Sequence, residues 1–203
     1  MRKGLVVLLT VALLVCLGGA PATSKYVMPV DSYATWKPQK TCVTKDRPGT
    51  VALAQWLSAR GGAYGGTLRS CKSGGSSEHK DGRAFDWTLD ATSLDDQATA
   101  EAFITEAFAD DEIGDTDALA RRMGIMYVIW NDRIYSAWYG FEPRPYLNSG
   151  CRSRKTCSKT LRHRDHMHIS LSMDGAEGRT SWYVERPATA PTARQAAAVP
   201  FAD

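Results

Sequence analysis

The segment RHRDHMHIS, residues 162–170, contains three of the four histidines of the chain, His163, His166 and His168. Side chains two residues apart on an extended strand point to the same face, so His166 and His168 can share one side. His163 is an odd number of residues from both, and it can reach the same site only if the strand begins after it. Because imidazole is a common metal ligand, the segment predicts a strand that delivers histidines to a metal site.

The fourth histidine, His79, lies in the segment SSEHKDGRAFDW, residues 76–87. The turn-forming residues at 80–82 separate it from Asp86, which we expect on a strand. A loop that leads into a strand can bring an imidazole nitrogen and a carboxylate oxygen together. We therefore predict one metal site with the ligands His79, Asp86 and His168 and with a fourth position open for water, as in catalytic zinc sites.

Two motifs, in their order along the chain, resemble the signature of the zinc D-Ala-D-Ala metallopeptidases, a superfamily that includes penicillin-insensitive murein endopeptidases. The motifs are Ser77-x-His79-x-x-Gly82-x-Ala84-x-Asp86 and His163-x-x-His166-x-His168. The second motif is most similar to the endopeptidase branch, in which the last histidine binds zinc and the other two line the site. The resemblance implies an exported bacterial enzyme that uses one zinc ion to cleave peptide bonds in peptidoglycan.

The expected catalytic residues are His166 and His163. The carboxypeptidase branch carries Glu-x-x-His before its last ligand, and no glutamate occupies that region here. His166 is therefore the expected general base, because it shares a strand face with His168 and would lie near the activated water. His163 is expected to polarise the carbonyl or to bind substrate. Carboxypeptidase and endopeptidase action both stay open, and this ligand set also accepts other divalent ions.

Two other functions are compatible with these residues. A non-catalytic secreted module that contains zinc and binds the cell wall would keep the metal site without turnover. A serine hydrolase is less favoured, because the chain has no G-x-S-x-G motif and its histidines cluster as metal ligands do. For the hydrolase we expect a monomer whose partner is the peptide part of peptidoglycan.

The first 22 of the 203 residues have the features of a secretory signal peptide. Arg2 and Lys3 precede an apolar run at 5–17 that is too short to span a bilayer, and small residues at 20–22 form a cleavage site. Removal of this signal peptide takes two positive charges from a formal net charge of +3. The mature protein is then nearly neutral, and its charge does not indicate nucleic-acid binding. We predict a secreted or wall-associated protein without stable membrane insertion.

Four cysteines follow the predicted signal peptide: Cys42, Cys71, Cys151 and Cys157. An even number in an exported chain favours two disulfides, for which three connectivities exist. We favour Cys42 with Cys71 and Cys151 with Cys157, because each pair closes the shorter loop. A zinc site built from cysteines is the competing interpretation, which the lack of a Cys-x-x-Cys motif disfavours.

The whole pattern predicts an α+β class, with one compact domain in which helices flank a small antiparallel sheet, as in the metallopeptidases. The expected organisation is a signal peptide at 1–22, an N-terminal arm at 23–48, a metallopeptidase-like domain at 49–186 and a disordered tail at 187–203. Within the domain we expect helices at about 50–60, 93–108 and 117–123, and a hairpin of strands 126–130 and 133–138. Trp130, Tyr135 and Trp138 could contact substrate, but we expect them to pack on the sheet.

Charges of one sign are concentrated in two regions of the sequence. Residues 90–117 include ten acidic and no basic side chains, whereas residues 143–164 include seven basic and no acidic ones. We interpret the acidic region as a solvated helix face, because its spacing is not that of an EF-hand calcium loop. The basic region could be a solvated, disulfide-braced loop, or it could attract the carboxylates of wall peptides. Arg83, inside the first motif, could bind a substrate carboxylate or solvate its turn, and we favour the second role.

Overall fold

The computed structural model describes residues 26–185, so the predicted signal peptide at 1–22 and the tail at 187–203 lie outside the described residues. The strands are β1 Ala63–Tyr64, β2 Ala84–Thr88, β3 Ile125–Trp130, β4 Arg133–Ser136, β5 Pro143–Pro145 and β6 Met167–Leu171. They form one antiparallel sheet in the order β1-β2-β6-β3-β4-β5. The predicted α+β class with a small antiparallel sheet is confirmed.

Helices pack beside this sheet in the described part of the chain. They are α1 Pro48–Ser58, α2 Leu94–Ala107, α3 Ala118–Arg122, α4 Met173–Ala176 and α5 Ser181–Val184. Ser93 caps α2, since its hydroxyl accepts a hydrogen bond from the Asp96 N–H. Two aspartates in the first turn of α2 interact favourably with the positive end of the helix dipole. The three predicted helices are therefore present as α1, α2 and α3, within two residues at most of their expected ends.

The predicted hairpin is formed by β3 and β4. Asn131 and Asp132 connect the strands with φ values of 46° and 66°, the left-handed conformation that a tight two-residue hairpin turn requires. The second strand ends at Ser136, because residues 137–139 turn into a 3₁₀ helix. Trp130 packs in the core as expected, whereas Trp138, on the 3₁₀ helix, is partly exposed to solvent.

Strand β6 lies between β2 and β3 near the centre of the sheet, and all five of its residues are buried. Met167, Ile169 and Leu171 belong to the hydrophobic core. His168 and Ser170 alternate with them and therefore point to the opposite face. The central position of β6 thus places one histidine inside the protein, on the side of the sheet away from the main core.

Two disulfides link the cysteines in the favoured pairs. Cys42–Cys71 joins the N-terminal arm to the segment before His79, and Cys151–Cys157 closes a short loop after β5. Both bonds are compatible with an exported protein. In residues 26–185 no helix is long and apolar enough to cross a membrane.

Arg83 differs from its expected role, because its side chain is buried and does not solvate the turn. Its guanidinium donates to the Asp81 carboxylate at 2.9 Å and to the main-chain oxygens of Lys37 and Leu171 at 3.0 Å each. Asp81 in turn accepts a hydrogen bond from the Thr41 N–H at 2.9 Å. This buried ion pair ties the N-terminal arm to the end of β6.

Candidate metal centre

His79, Asp86 and His168 meet at one point, although they are far apart in the sequence. His79 Nε2 lies 3.1 Å from Asp86 Oδ1 and 3.3 Å from His168 Nδ1, and His168 Nδ1 lies 3.0 Å from the same Asp86 oxygen. The contact between Asp86 and His168 follows from strand register, because these residues are direct partners across β2 and β6. The sheet therefore fixes two of the three groups.

His79 is brought to this pair by a tight turn over residues 77–82. The Gly82 N–H donates to the His79 main-chain oxygen at 3.1 Å, and Gly82 has a φ of 70°. A side chain at that position would be strained in the left-handed conformation and would also crowd Val43 and Arg47. The glycine of the first motif is thus needed to return the chain from His79 into β2.

The three groups could hold a metal ion. Zinc lies about 2.0–2.1 Å from nitrogen and oxygen ligands, so tetrahedral ligands are separated by about 3.3 Å. The observed separations of 3.0–3.3 Å match that spacing to within a few tenths of an ångström. A donor set of two imidazoles and one carboxylate suits zinc and also other divalent ions.

The outer nitrogens of both histidines have partners that fix how each ring is oriented. His79 Nδ1 lies 3.3 Å from the main-chain oxygen of Thr67, which can only accept, so Nδ1 carries the hydrogen and Nε2 is the nitrogen that would bind a metal ion. His168 Nε2 lies 3.0 Å from Ser170 Oγ, to which it can donate. Such outer partners orient metal ligands and set their tautomers. A bound metal ion would accept the lone pairs of His79 Nε2 and His168 Nδ1 and replace the hydrogen bonds that these nitrogens form with the Asp86 carboxylate.

The protonation states in this centre also suit a metal. Burial by itself raises the pKa of the Asp86 carboxyl, but its hydrogen bonds with His168 and His79 outweigh burial and hold that pKa well below the ordinary value. Burial lowers the pKa of His168, which favours the neutral imidazole. An ionised carboxylate and a neutral imidazole are the forms that bind metal ions.

His166 lies immediately before β6 and faces the same centre. Its Nδ1 lies 2.7 Å from Asp165 Oδ1, so this nitrogen donates to the carboxylate. Its Nε2 is then the acceptor and lies 3.7 Å from Asp86 Oδ1. Asp165 therefore sets both the tautomer and the direction of the His166 ring.

His163 also joins the cluster, because β6 begins four residues after it. Its φ of 50° places it in the left-handed conformation at the end of the 3₁₀ helix Thr160–Arg162, and its main-chain oxygen accepts from the Asn131 N–H at 2.7 Å. The ring centroid lies 4.8 Å from that of His166, and the residue is only 9% exposed. Burial, and then the neighbouring His168 and His166, lower the pKa of His163 to about 3.

A protein-family profile described as the VldE C-terminal domain matches residues 42–156, which is more than half of the chain. The chain belongs to the VldE C-terminal domain family. The matched region includes His79 and Asp86 and ends before the segment that carries His163, His166 and His168. Comparison with curated proteins found no match, and comparison with solved structures found none either. The family assignment therefore covers two of the three groups that could hold a metal.

Four residues that surround the candidate metal centre were not predicted from the sequence. Besides Thr67 and Ser170, these are Tyr127, whose ring stacks on His168 at 5.6 Å, and Glu78, whose carboxylate accepts from the Tyr127 hydroxyl at 2.8 Å. Ser170 could have been found, since it is two residues from His168 on the same strand face. Tyr127 gave no local signal, because only the strand order brings β3 beside β6.

The basic region at 143–164 is partly neutralised by acidic side chains. Arg162 pairs with Asp132 at 2.6 Å, and Lys159 pairs with Asp90 at 2.7 Å. Asp90 begins the acidic region, so the two oppositely charged regions meet at this contact. The positive electrostatic potential of the basic region is consequently weaker than seven unpaired basic residues would produce.

Proposed function

We propose that this protein is a secreted zinc-dependent hydrolase that cleaves peptide bonds in peptidoglycan. The observation that supports it is the convergence of His79, Asp86 and His168 with a fourth group, His166, aimed at the same point. A structural metal site is closed by four protein ligands, whereas a catalytic one keeps a position for water. Three ligands with an adjacent acid-base group fit the catalytic arrangement.

In the proposed reaction, zinc would supply electrostatic activation, whereas side chains of the protein transfer the proton. When bound, zinc lowers the pKa of a coordinated water and polarises a carbonyl group. His166 accepts a proton from the attacking water at Nε2, because Asp165 occupies its Nδ1–H. The same nitrogen then returns the proton to the leaving amine. The Asp165 carboxylate stabilises the imidazolium that exists between these two transfers.

His163 is proposed to bind the substrate rather than to transfer protons. Its strongly lowered pKa keeps the imidazole neutral, so it can donate one hydrogen bond without adding a charge to the site. Its Nδ1 is buried and has no hydrogen-bond partner in the described part of the chain. A substrate carbonyl or amide in the centre would provide a partner for this side chain.

The test is digestion of purified sacculi by the zinc-loaded protein, with product analysis by mass spectrometry. We expect new amino or carboxyl termini in the stem or cross-linking peptides, and the fragment masses will distinguish carboxypeptidase from endopeptidase cleavage. His166→Ala should bind zinc and release far less product than the wild type. Because this variant keeps the three metal ligands, a loss of product would result from loss of the proposed base and not from loss of the metal.

A non-catalytic wall-binding module is the second candidate, and the absence of a Glu-x-x-His segment favours it. That function predicts that the wild-type protein sediments with sacculi and releases no fragments under any metal condition. Release of even one peptide fragment that disappears in His166→Ala would exclude it.

A further inference from the structure

Trp138 and Tyr139 are held at the surface by a rigid turn. They lie on the 3₁₀ helix Ala137–Tyr139 and are 38% and 47% exposed, whereas Ala137 before them and Phe141 after them are buried. Phe141 stacks on Phe108 with ring centroids 4.5 Å apart. The two exposed rings are therefore fixed between two buried anchors.

The backbone of this turn is strained to keep that arrangement. Phe141 has a φ of 51°, a left-handed conformation that is unfavourable for a bulky side chain. Its N–H donates to the Ser136 main-chain oxygen at 3.0 Å, and the Gly140 N–H donates to the Ala137 oxygen at 3.1 Å. Strained residues held by their surroundings occur often at binding sites.

A row of aromatic contacts connects these rings to the candidate metal centre. The Trp138 ring lies 6.2 Å from the Tyr127 ring, and Tyr127 stacks on His168 at 5.6 Å. Trp138 and Tyr139 are themselves 6.2 Å apart. The exposed aromatic surface is thus continuous with one wall of the centre.

The chemistry of this surface is amphipathic. The guanidinium of the exposed Arg144 lies over the Tyr139 ring, 3.6 Å from its centroid, so it covers one face of this ring and places a cation beside Trp138 and Tyr139. A surface of two rings is small compared with a typical protein interface, and it has a charged rim. A sugar ring matches it, since its C–H face packs on an aromatic ring while its hydroxyls hydrogen-bond to arginine.

We propose that Trp138, Tyr139 and Arg144 bind a sugar ring of the glycan strand that carries the scissile peptide. This inference rests on the proposed function, because it assigns the substrate class bound beside the same centre. The glycan is held by the exposed platform, and the peptide attached to it extends along Tyr127 toward His168.

The test measures binding of the zinc-loaded protein to purified, peptide-free glycan strands. Trp138→Ala is expected to weaken binding about tenfold, and Trp138→Phe less, because it keeps an aromatic face. Trp36→Ala is the matched control, since Trp36 is an exposed tryptophan on the N-terminal arm. Thermal unfolding of each variant verifies that the fold is retained, and sedimentation measures self-association.

The possible results test glycan binding by this surface independently of the proposed peptide cleavage. Weaker glycan binding by Trp138→Ala, with normal binding by Trp36→Ala, supports the platform even if sacculi are never cleaved. Equal binding by the wild type and Trp138→Ala, or no binding by the wild type, overturns it even if peptides are released. Self-association that Trp138→Ala abolishes, without glycan binding, would show that the surface binds a second copy and would also overturn the inference.

Discussion

Asp86 Oδ1 lies 3.0 Å from His168 Nδ1, and the two residues are direct partners on neighbouring strands although 82 positions separate them in the sequence. Because the pairing is set by main-chain hydrogen bonds, the geometry of these two groups is as rigid as the sheet itself. A register shift of one residue would turn either side chain to the opposite face. The candidate centre is therefore a direct product of strand order.

Ser170→Ala is expected to weaken zinc binding. The substitution removes the acceptor for His168 Nε2–H, which orients the ring, and loss of such an outer partner typically costs 10–100-fold in metal affinity. Competition titration with a zinc chelator measures the change. Ser149→Ala, at an exposed position, is the control and should bind zinc as the wild type does. Equal affinities in both variants would show that Ser170 does not orient the ligand.

His166→Ala is expected to keep one zinc per chain and to lose peptide release from sacculi. General acid-base groups typically contribute 10²–10⁴-fold in rate, so the residual activity should fall in that range below the wild type. Metal analysis and product quantification on the same sample separate the two effects. A variant with unchanged turnover would mean that another group moves the proton.

Asp81→Asn is expected to destabilise the protein at neutral pH. Burial by itself raises the pKa of Asp81, but hydrogen bonds from Thr41 and Arg83 lower it more, to below the ordinary value of 3.8. The depressed pKa stabilises the folded state above pH 3.8, and this contribution is lost as the pH falls through the folded-state pKa. At pH 7 we expect a loss of about 2 kcal/mol from the hydrogen bonds to a charged group.

Chemical denaturation across pH measures this effect. The free energy of unfolding of the wild type should fall more steeply than that of Asp81→Asn as the pH drops below about 4. Asp174→Asn is the matched control, because Asp174 forms an ion pair with Arg179 at the exposed surface, where such pairs contribute little. Parallel curves for the wild type and Asp81→Asn would contradict the proposed ion-pair stabilisation.

Removal of the Cys42–Cys71 disulfide is expected to destabilise the protein more than removal of Cys151–Cys157. The bonded cysteines are 29 and 6 positions apart, and the loop-entropy relation predicts losses of about 3.6 and about 2.2 kcal/mol. Both cysteines of a pair are replaced by serine to avoid a free thiol, and denaturant unfolding measures the change. The reverse order of stability would show that chain entropy does not dominate.

The sequence predicted those parts of the fold whose signals are local. Ser93 marks the start of α2, Asn131-Asp132 marks the hairpin, and the alternation after His166 predicts which side chains of β6 share a face. Contacts that depend on strand order, such as that of Tyr127 with His168, could not be read from spacing. The burial of Arg83 was missed because its acceptors lie in remote segments.

Zinc stoichiometry of the purified protein, measured by metal analysis after dialysis, is the most direct test of the centre. We predict one zinc ion per chain in the wild type and in His163→Ala, and none in Asp86→Ala or His79→Ala. If Asp86→Ala retains a full equivalent of zinc at wild-type affinity, the three groups do not form the metal site, and the proposed hydrolase fails with it.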